Sequence, residues 1–298
     1  MKKYFSLLLV VALLLTGCGK DKKEEKSNSN NESNVTLEEA IKNSKEIKNA
    51  KFDASLVFAL GSGDKNKIKY DISLDGKIDS KQNIYFLGKG LATEDEDDTD
   101  IEYAEEYIDM ENKTTYTLTY ESEAAKKDEN WIKNSFDDED VLNSLKEFDL
   151  SKVLEFIKES KKVDSDRTGE DKYEVKIDLL KALKEIAKAT GEDVQEIEEL
   201  EKQMVMPDLS FNIYVKGKYV SGIETDLGDL LTKSLGPVLQ QLLTSENSRT
   251  NIPDFKVELK GSMHLTDFGS VEDIKVPEEI VKNAKTVKEE YEINMNEQ

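Results

Sequence analysis

Apolar and polar residues alternate along much of this chain, and a period of two predicts β-strands with one buried face. The longest alternations cover residues 52–60, 68–74 and 255–265. Shorter strands are predicted at 84–91, 101–110, 114–120, 173–177, 209–215 and 219–225. The turn "KGK" with Gly217 between the last two of these is typical of a tight hairpin. The pattern as a whole therefore predicts antiparallel pairing.

Helical spacing interrupts the strands at several places. Thr36 and Glu39 form a capping box at the start of a helix that is predicted to end near Ala50. A final helix is predicted to begin at Pro277. Four more helices are predicted in the middle of the chain, at 141–148, at 153–162 with lysines at its C-terminal end, at 179–189 and at 194–204.

An apolar segment, "LGDLLTKSLGPVLQQLLTS" at 227–245, stands out in a highly charged chain. Its leucines follow helical spacing, and Gly236 and Pro237 predict a break into two short helices. Asp229 and Lys233 lie inside it, so it is too polar to span a bilayer. Three interpretations stay open: core packing over the sheet, a mobile cover over an apolar cavity, or a partner interface.

These patterns together predict an α+β fold. Its main element is a large curved antiparallel β-sheet, an incomplete barrel with helices packed on its concave apolar face. We predict one domain at 36–288, because no second linker interrupts it, followed by a tail at 289–298.

The N-terminus, "MKKYFSLLLVVALLLTGCGK", has two lysines and then a short apolar run, which predicts a secretory signal peptide at 1–17. Cys18 is the single cysteine in the chain, so intramolecular disulfides are excluded. Residues 18–35 are predicted to be the mature N-terminus and a flexible polar tether. The alternative is an ordinary secretory signal in which the cysteine is incidental.

The segment Leu15-Thr16-Gly17-Cys18 resembles the lipobox of bacterial lipoproteins. This resemblance implies that Cys18 carries a diacylglycerol and that acyl chains such as palmitate hold the protein on the extracytoplasmic face of the cell membrane. Two acyl chains give stable anchoring, at about 0.8 kcal/mol per buried CH₂ group. The membrane is thus a predicted partner through Cys18.

The chain carries 64 acidic and 42 basic residues, a formal net charge of −22. Such a surface repels nucleic acid and anionic head groups, so nucleic-acid binding is excluded. The sequence identifies no protein partner. The many lysines, asparagines and isoleucines are compatible with an AT-rich Gram-positive genome.

Catalytic motifs are lacking, and we predict a protein that is not an enzyme, with no cofactor and no metal. His264 is the single histidine and falls on the polar side of its strand, so it is predicted to be solvated.

Residues 71–82 have the spacing of a calcium loop, but Gln82 cannot supply the last carboxylate. A strand with a bend at Gly76 is favoured there. The acidic segment 94–100 is interpreted as a solvated linker.

Five stretches carry a further resemblance: the lipobox, "TLEEAIKNSKEIKNAKFDASL", "YTLTYESEAAKKDENWIKN", "FNIYVKGKYVSGIETDL" and "VEDIKVPEEIVKNA". Together they resemble the lipoprotein-carrier superfamily typified by LolA and LolB, especially lipid-anchored relatives of the LppX and LprG type. The resemblance implies a half-barrel cavity that binds a lipid or another hydrophobic ligand. The alternative is a structural, sensor or interaction lipoprotein with a filled core that binds a protein or the cell wall. The predicted cavity residues are Phe58, Leu60, Tyr70, Phe211, Ile213, Leu230, Leu231, Leu235, Leu239, Leu242, Val257 and Met263.

Overall fold

The computed structural model of the protein describes residues 35–62, 65–94, 98–127, 130–135, 156–178, 180–182, 184, 194–195, 208–233 and 255–286. The signal peptide, Cys18, nearly all of the tether and the tail lie outside these residues. So do the helix predicted at 141–148, most of the two predicted at 179–204 and the second half of the apolar segment. No helix within the described residues is both long and apolar enough to cross a membrane.

The described strands form one twelve-stranded sheet in the order β12-β6-β5-β4-β3-β2-β1-β11-β10-β9-β8-β7. Neighbouring strands are antiparallel except β12 and β6, which are parallel. The prediction of a large antiparallel sheet is confirmed at this level. The strands are β1 (Ala50–Ser62), β2 (Lys65–Ile78), β3 (Ile84–Glu94), β4 (Asp98–Asp109), β5 (Thr114–Tyr120), β6 (Ile132–Ser135), β7 (Ile157–Val163), β8 (Asp171–Ile177), β9 (Leu209–Lys216), β10 (Tyr219–Asp226), β11 (Phe255–Thr266) and β12 (Lys285–Thr286).

Strand β1 lies near the middle of the sheet, and its pairing defines the two faces. Phe52 lies between Leu265 of β11 and Gly76 of β2, and Ala54 lies one row further along the strand. We call the face that carries Phe52 the core face. Its buried residues form the main hydrophobic cluster, which reaches from β4 across to β8. The opposite face, which carries Asp53 on β1, is the outer face.

The first helix, α1 (Leu37–Ser44), packs on this cluster beside β10. Thr36 and Glu39 form the predicted capping box. The Ser44 hydroxyl accepts a hydrogen bond from the backbone N–H of Val220 at 2.9 Å, and the Asn43 side-chain amide donates one to the Lys218 carbonyl at 3.2 Å. These bonds attach α1 to the β9–β10 hairpin, in which Gly217 has the positive φ that the turn requires (61°).

Gly76 lies within β2, which runs through it without a break in register. A Cβ atom at this position would lie 2.4 Å from Cζ of Phe52 and 2.7 Å from the Tyr85 carbonyl oxygen. Gly76 therefore leaves room for the Phe52 ring in the core. The interpretation of residues 71–78 as a strand and not a calcium loop agrees with this register.

The turn after β2 is organised around Asp79, which is fully buried. Its carboxylate accepts four hydrogen bonds at 2.8 to 3.0 Å. The donors are the backbone N–H groups of Lys81, Asn83 and Ile274 and the side-chain amide of Asn83. Since Ile274 belongs to the segment after β11, Asp79 fastens that segment to the β2–β3 turn.

Residues 157–163 form strand β7, so the helix predicted over 153–162 is wrong in its second half. Lysine and glutamate favour helices in isolation, but pairing with β8 overrides that weak preference here. β7 is the last strand on its side of the described sheet, and exposed Lys158, Lys161 and Lys162 line it. Charged edges of this kind discourage pairing with another chain.

A second, smaller core lies on the outer face of β4 and β5. Trp131 is buried there with Tyr116, Leu118 and Tyr120, and Ile280 of the last helix, α2 (Glu278–Asn283), covers them. The sheet therefore buries opposite faces in its two halves, which a period-two pattern by itself does not reveal. The predicted final helix is confirmed, with Pro277 at its N-cap.

Candidate ligand-binding face

Four of the predicted cavity residues come together on the core face, at the end of β1 that is distant from α1. Phe58 pairs with Tyr70, and their rings are stacked with centroids 6.3 Å apart. Leu60 lies opposite Val257 of β11 in the next row. Phe58, Leu60 and Tyr70 are only partly buried, whereas Val257 is buried. Phe58, Leu60 and Tyr70 therefore retain accessible apolar surface on this face.

Three other predicted residues lie nearer to α1. Met263 and Ile213 are both buried, and each pairs with Ile223 of β10. They belong to the main core, and half-buried Phe211 packs against it. The structure places all these residues on the predicted face. Phe211 lies in the row next to that of Phe58, and Met263 and Ile213 lie two rows from it.

The apolar segment begins beside the first half of β11. Residues 228–233 are helical, and the Thr232 hydroxyl bonds to both the N–H and the carbonyl of Val257, at 2.9 and 3.2 Å. The Leu227 N–H donates to the Leu259 carbonyl at 2.8 Å. Leu230 and Leu231 are half-buried. Leu235, Leu239 and Leu242 lie outside the described residues, so their role stays a prediction.

A channel floor of small residues runs along β3 on the same face. Its successive positions are Gly88, Gly90 and Ala92, which together extend over about 13 Å of strand. We call this feature the β3 channel. Its walls, from β2 and β4, are Leu74, Ile72 and Tyr70 on one side and Ala104, Glu102 and Asp100 on the other. The alternation in "GKGLA" is the sequence signal for it, and our sequence predictions did not use that signal.

Glu106 places a carboxyl group on the core face beside this channel, between Phe86 of β3 and Thr117 of β5 in the register. Burial raises the pKa of Glu106 to about 7, although a hydrogen bond from the Thr117 hydroxyl favours the ionised form. Periodicity over 101–110 predicted the strand correctly, but it gave no indication that this charge faces the core.

The outer face of β9, β10, β11 and β1 carries a polar cluster. The loop between β7 and β8 folds against it, so that the Arg167 guanidinium lies 4.0 Å from the centroid of the Tyr214 ring and pairs with Glu224 at 2.7 Å. Tyr214 also donates to Glu224 at 2.7 Å. A Cβ atom at position 222 would lie 2.8 Å from Arg167 Nη1 and 3.1 Å from the Met263 carbonyl oxygen, so glycine lets the guanidinium lie close to the strand.

His264 belongs to this cluster, and the prediction that it is solvated is wrong. Its side chain is 23% exposed, Nε2 lies 3.1 Å from the buried Glu170 carboxylate and Nδ1 lies 3.4 Å from Asp53. The partner loop is about 95 residues distant in sequence, so strand periodicity could not indicate the contact. The cluster binds the β7–β8 loop to four strands, and we assign it a structural role.

The chemistry available on either face is limited. Within the described residues no group of three or more histidine, cysteine, aspartate or glutamate side chains could hold a metal ion. Comparison with models of known protein families finds no match, and a search of curated protein sequences finds no match either.

Proposed function

We propose that this chain is a lipid-anchored protein of the extracytoplasmic membrane face that binds a lipid or another hydrophobic molecule on its core face, without catalysing a reaction. The proposal of ligand binding rests on one observation, the β3 channel next to the half-buried Phe58 and Tyr70 rings. Small residues on β3 lie between the apolar side chains of β2 and the carboxylates of β4, and this is a surface against which an amphiphile would pack. The half-barrel of the lipoprotein-carrier superfamily is the arrangement that we propose around this face.

The anchoring part depends on Cys18. In cells fed a labelled palmitate analogue, we expect the label on the wild-type protein, and we expect the protein in the membrane fraction. Cys18→Ser should lose the label, because serine has no thiol to carry the diacylglycerol and the chain has no other cysteine. Label retained on Cys18→Ser would contradict the assignment.

The ligand part is tested with protein that begins at Gly19, since the described contacts all lie within residues 35–286. Extraction with organic solvent and mass spectrometry should identify a bound lipid. A fluorescent monoacylglycerol should bind with saturation, and Ala92→Phe, which fills the channel, should weaken that binding at least tenfold. Leu91→Phe, the adjacent position on the outer face, is the matched control and should change it less than twofold.

A second candidate function, binding of a protein or of the cell wall, is favoured by one observation. The outer face of β3 and β4 exposes Leu87 and Ile101, at 39% and 38%. They lie two rows apart on this face, because Leu87 pairs with Glu105 and Ile101 pairs with Leu91. Large apolar side chains exposed on one face occur at interaction surfaces. The same extraction distinguishes the two functions. If no lipid is recovered and the probe does not bind with saturation, the ligand-binding proposal is overturned and the interaction function is favoured.

A further inference from the structure

The described charges on the core face bear on the head group of the ligand, a point that rests on the proposed ligand-binding function. Register assigns every described side chain of β1 to β5 and β11 to one of the two faces. On the core face of these strands the described charged side chains are Asp100, Glu102 and Glu106. All three are acidic, and all three lie on β4, along one wall of the β3 channel and beside its end.

The lysines of the same strands lie on the outer face. Lys77 and Lys89 show this directly, because their ammonium groups lie over the rings of Tyr85 and Tyr103 on that face, at 5.5 and 5.8 Å from the ring centroids. The remaining lysines with described side chains on these strands are Lys51, Lys69, Lys256 and Lys260. On the core face of β1 to β5 and β11, no described side chain is a cation that could neutralise an anionic group beside β4.

The wall beyond β4 is made of hydroxyl groups. Thr115, Thr117 and Thr119 follow one another on the core face of β5, opposite Ile108, Glu106 and Ala104. The hydroxyl of Thr117 donates to Glu106. One side of the channel is therefore apolar, and the other presents carboxylates and hydroxyls. Such a surface accepts hydrogen bonds, attracts positive charge and repels negative charge, and the repulsion is strongest beside Glu106, whose carboxyl is desolvated.

We infer that the ligand is an amphiphile with an uncharged or cationic head group, and that fatty acids and other anionic lipids are disfavoured. The apolar chain would lie against Ile72 and Tyr70, and the head would contact Glu102 and Glu106. A hydroxyl-bearing or amine-bearing head can donate hydrogen bonds to these carboxylates. A carboxylate or phosphate head would bring a like charge next to them without a compensating cation.

The test uses three fluorescent probes with the same acyl chain and label, differing only in the head: a fatty amine, a monoacylglycerol and a fatty acid. At pH 7.5 we expect the amine and the monoacylglycerol to bind the wild type at least tenfold more tightly than the acid. The double variant Glu102→Gln/Glu106→Gln should bring the acid within about threefold of the monoacylglycerol. A fluorescence spectrum of the buried Trp131 that matches the wild type's shows that the double variant is folded.

The matched control is Asp71→Asn/Asp75→Asn, which changes the net charge by the same amount on the outer face of β2. In this control the fatty acid should still bind more weakly than the other two probes, because the repulsion comes from Glu102 and Glu106 beside the channel. If the acid binds the wild type as tightly as the amine, or if the control removes the preference as the double variant does, the inference is overturned while the proposed function stands. If none of the three probes binds with saturation, the proposed function is overturned and the inference with it.

Discussion

Replacing Asp79 by alanine is expected to lower the free energy of unfolding by about 3 kcal/mol or more. The substitution removes a buried carboxylate and leaves four N–H donors without their acceptor. A buried donor that loses its partner costs about 1–3 kcal/mol. The segment that contains Ile274 would also lose its attachment to the β2–β3 turn. Urea unfolding followed by the fluorescence of the buried Trp131 measures the change.

The control for this prediction is Asp75→Ala, on the same strand. Asp75 is exposed on the outer face, and an exposed substitution of this kind usually changes stability by no more than about 0.5 kcal/mol. A loss of stability in Asp79→Ala no larger than in Asp75→Ala would show that the turn does not depend on the buried carboxylate.

The strands of this fold could be predicted from sequence because each long strand buries one face and so has a period of two. The prediction failed where burial is slight. β7 consists mostly of exposed lysine, glutamate and serine, so its sequence is closer to that of a helix than to that of a strand. β6 and β12 have four and two residues, too few for a periodic pattern. Their pairing is decided by neighbouring strands, which the local sequence does not contain.

The sequence predicted on which face of the sheet the candidate site residues lie, but it did not predict in which row of paired strand positions they lie. Alternation placed Phe58 and Met263 correctly on the core face, but only the pairing register shows that they lie in different rows, Met263 in the filled core and Phe58 beside the channel. The same limit explains His264. Its side was predicted correctly, and its burial depends on a loop that is remote in sequence and folds over the outer face. Contacts between a strand face and a distant loop depend on the tertiary structure, which strand periodicity does not reveal.

Glu106→Gln is expected to stabilise the protein in a pH-dependent way. Burial raises the pKa of this carboxyl from 4.5 to about 7 in the folded state. The folded protein therefore holds the proton more tightly than the unfolded chain, and the wild type loses stability as the pH rises from about 5 to about 8. Glutamine mimics the protonated form and escapes that loss. The variant should thus match the wild type near pH 5 and exceed its unfolding free energy by on the order of 3 kcal/mol near pH 8.

Urea unfolding at a series of pH values checks this, and parallel curves for the two proteins would contradict it. Thr117→Val tests separately whether the pKa of Glu106 causes this pH dependence, because the Thr117 hydroxyl bonds to Glu106 and lowers that pKa. Without that bond, the pH at which stability falls should move upward. Thr119→Val, on the same face two residues further along β5, is the matched control and should leave that pH unchanged. The same carboxyl would then be both a cost to folding and, in its ionised form, the charge that selects the head of the ligand.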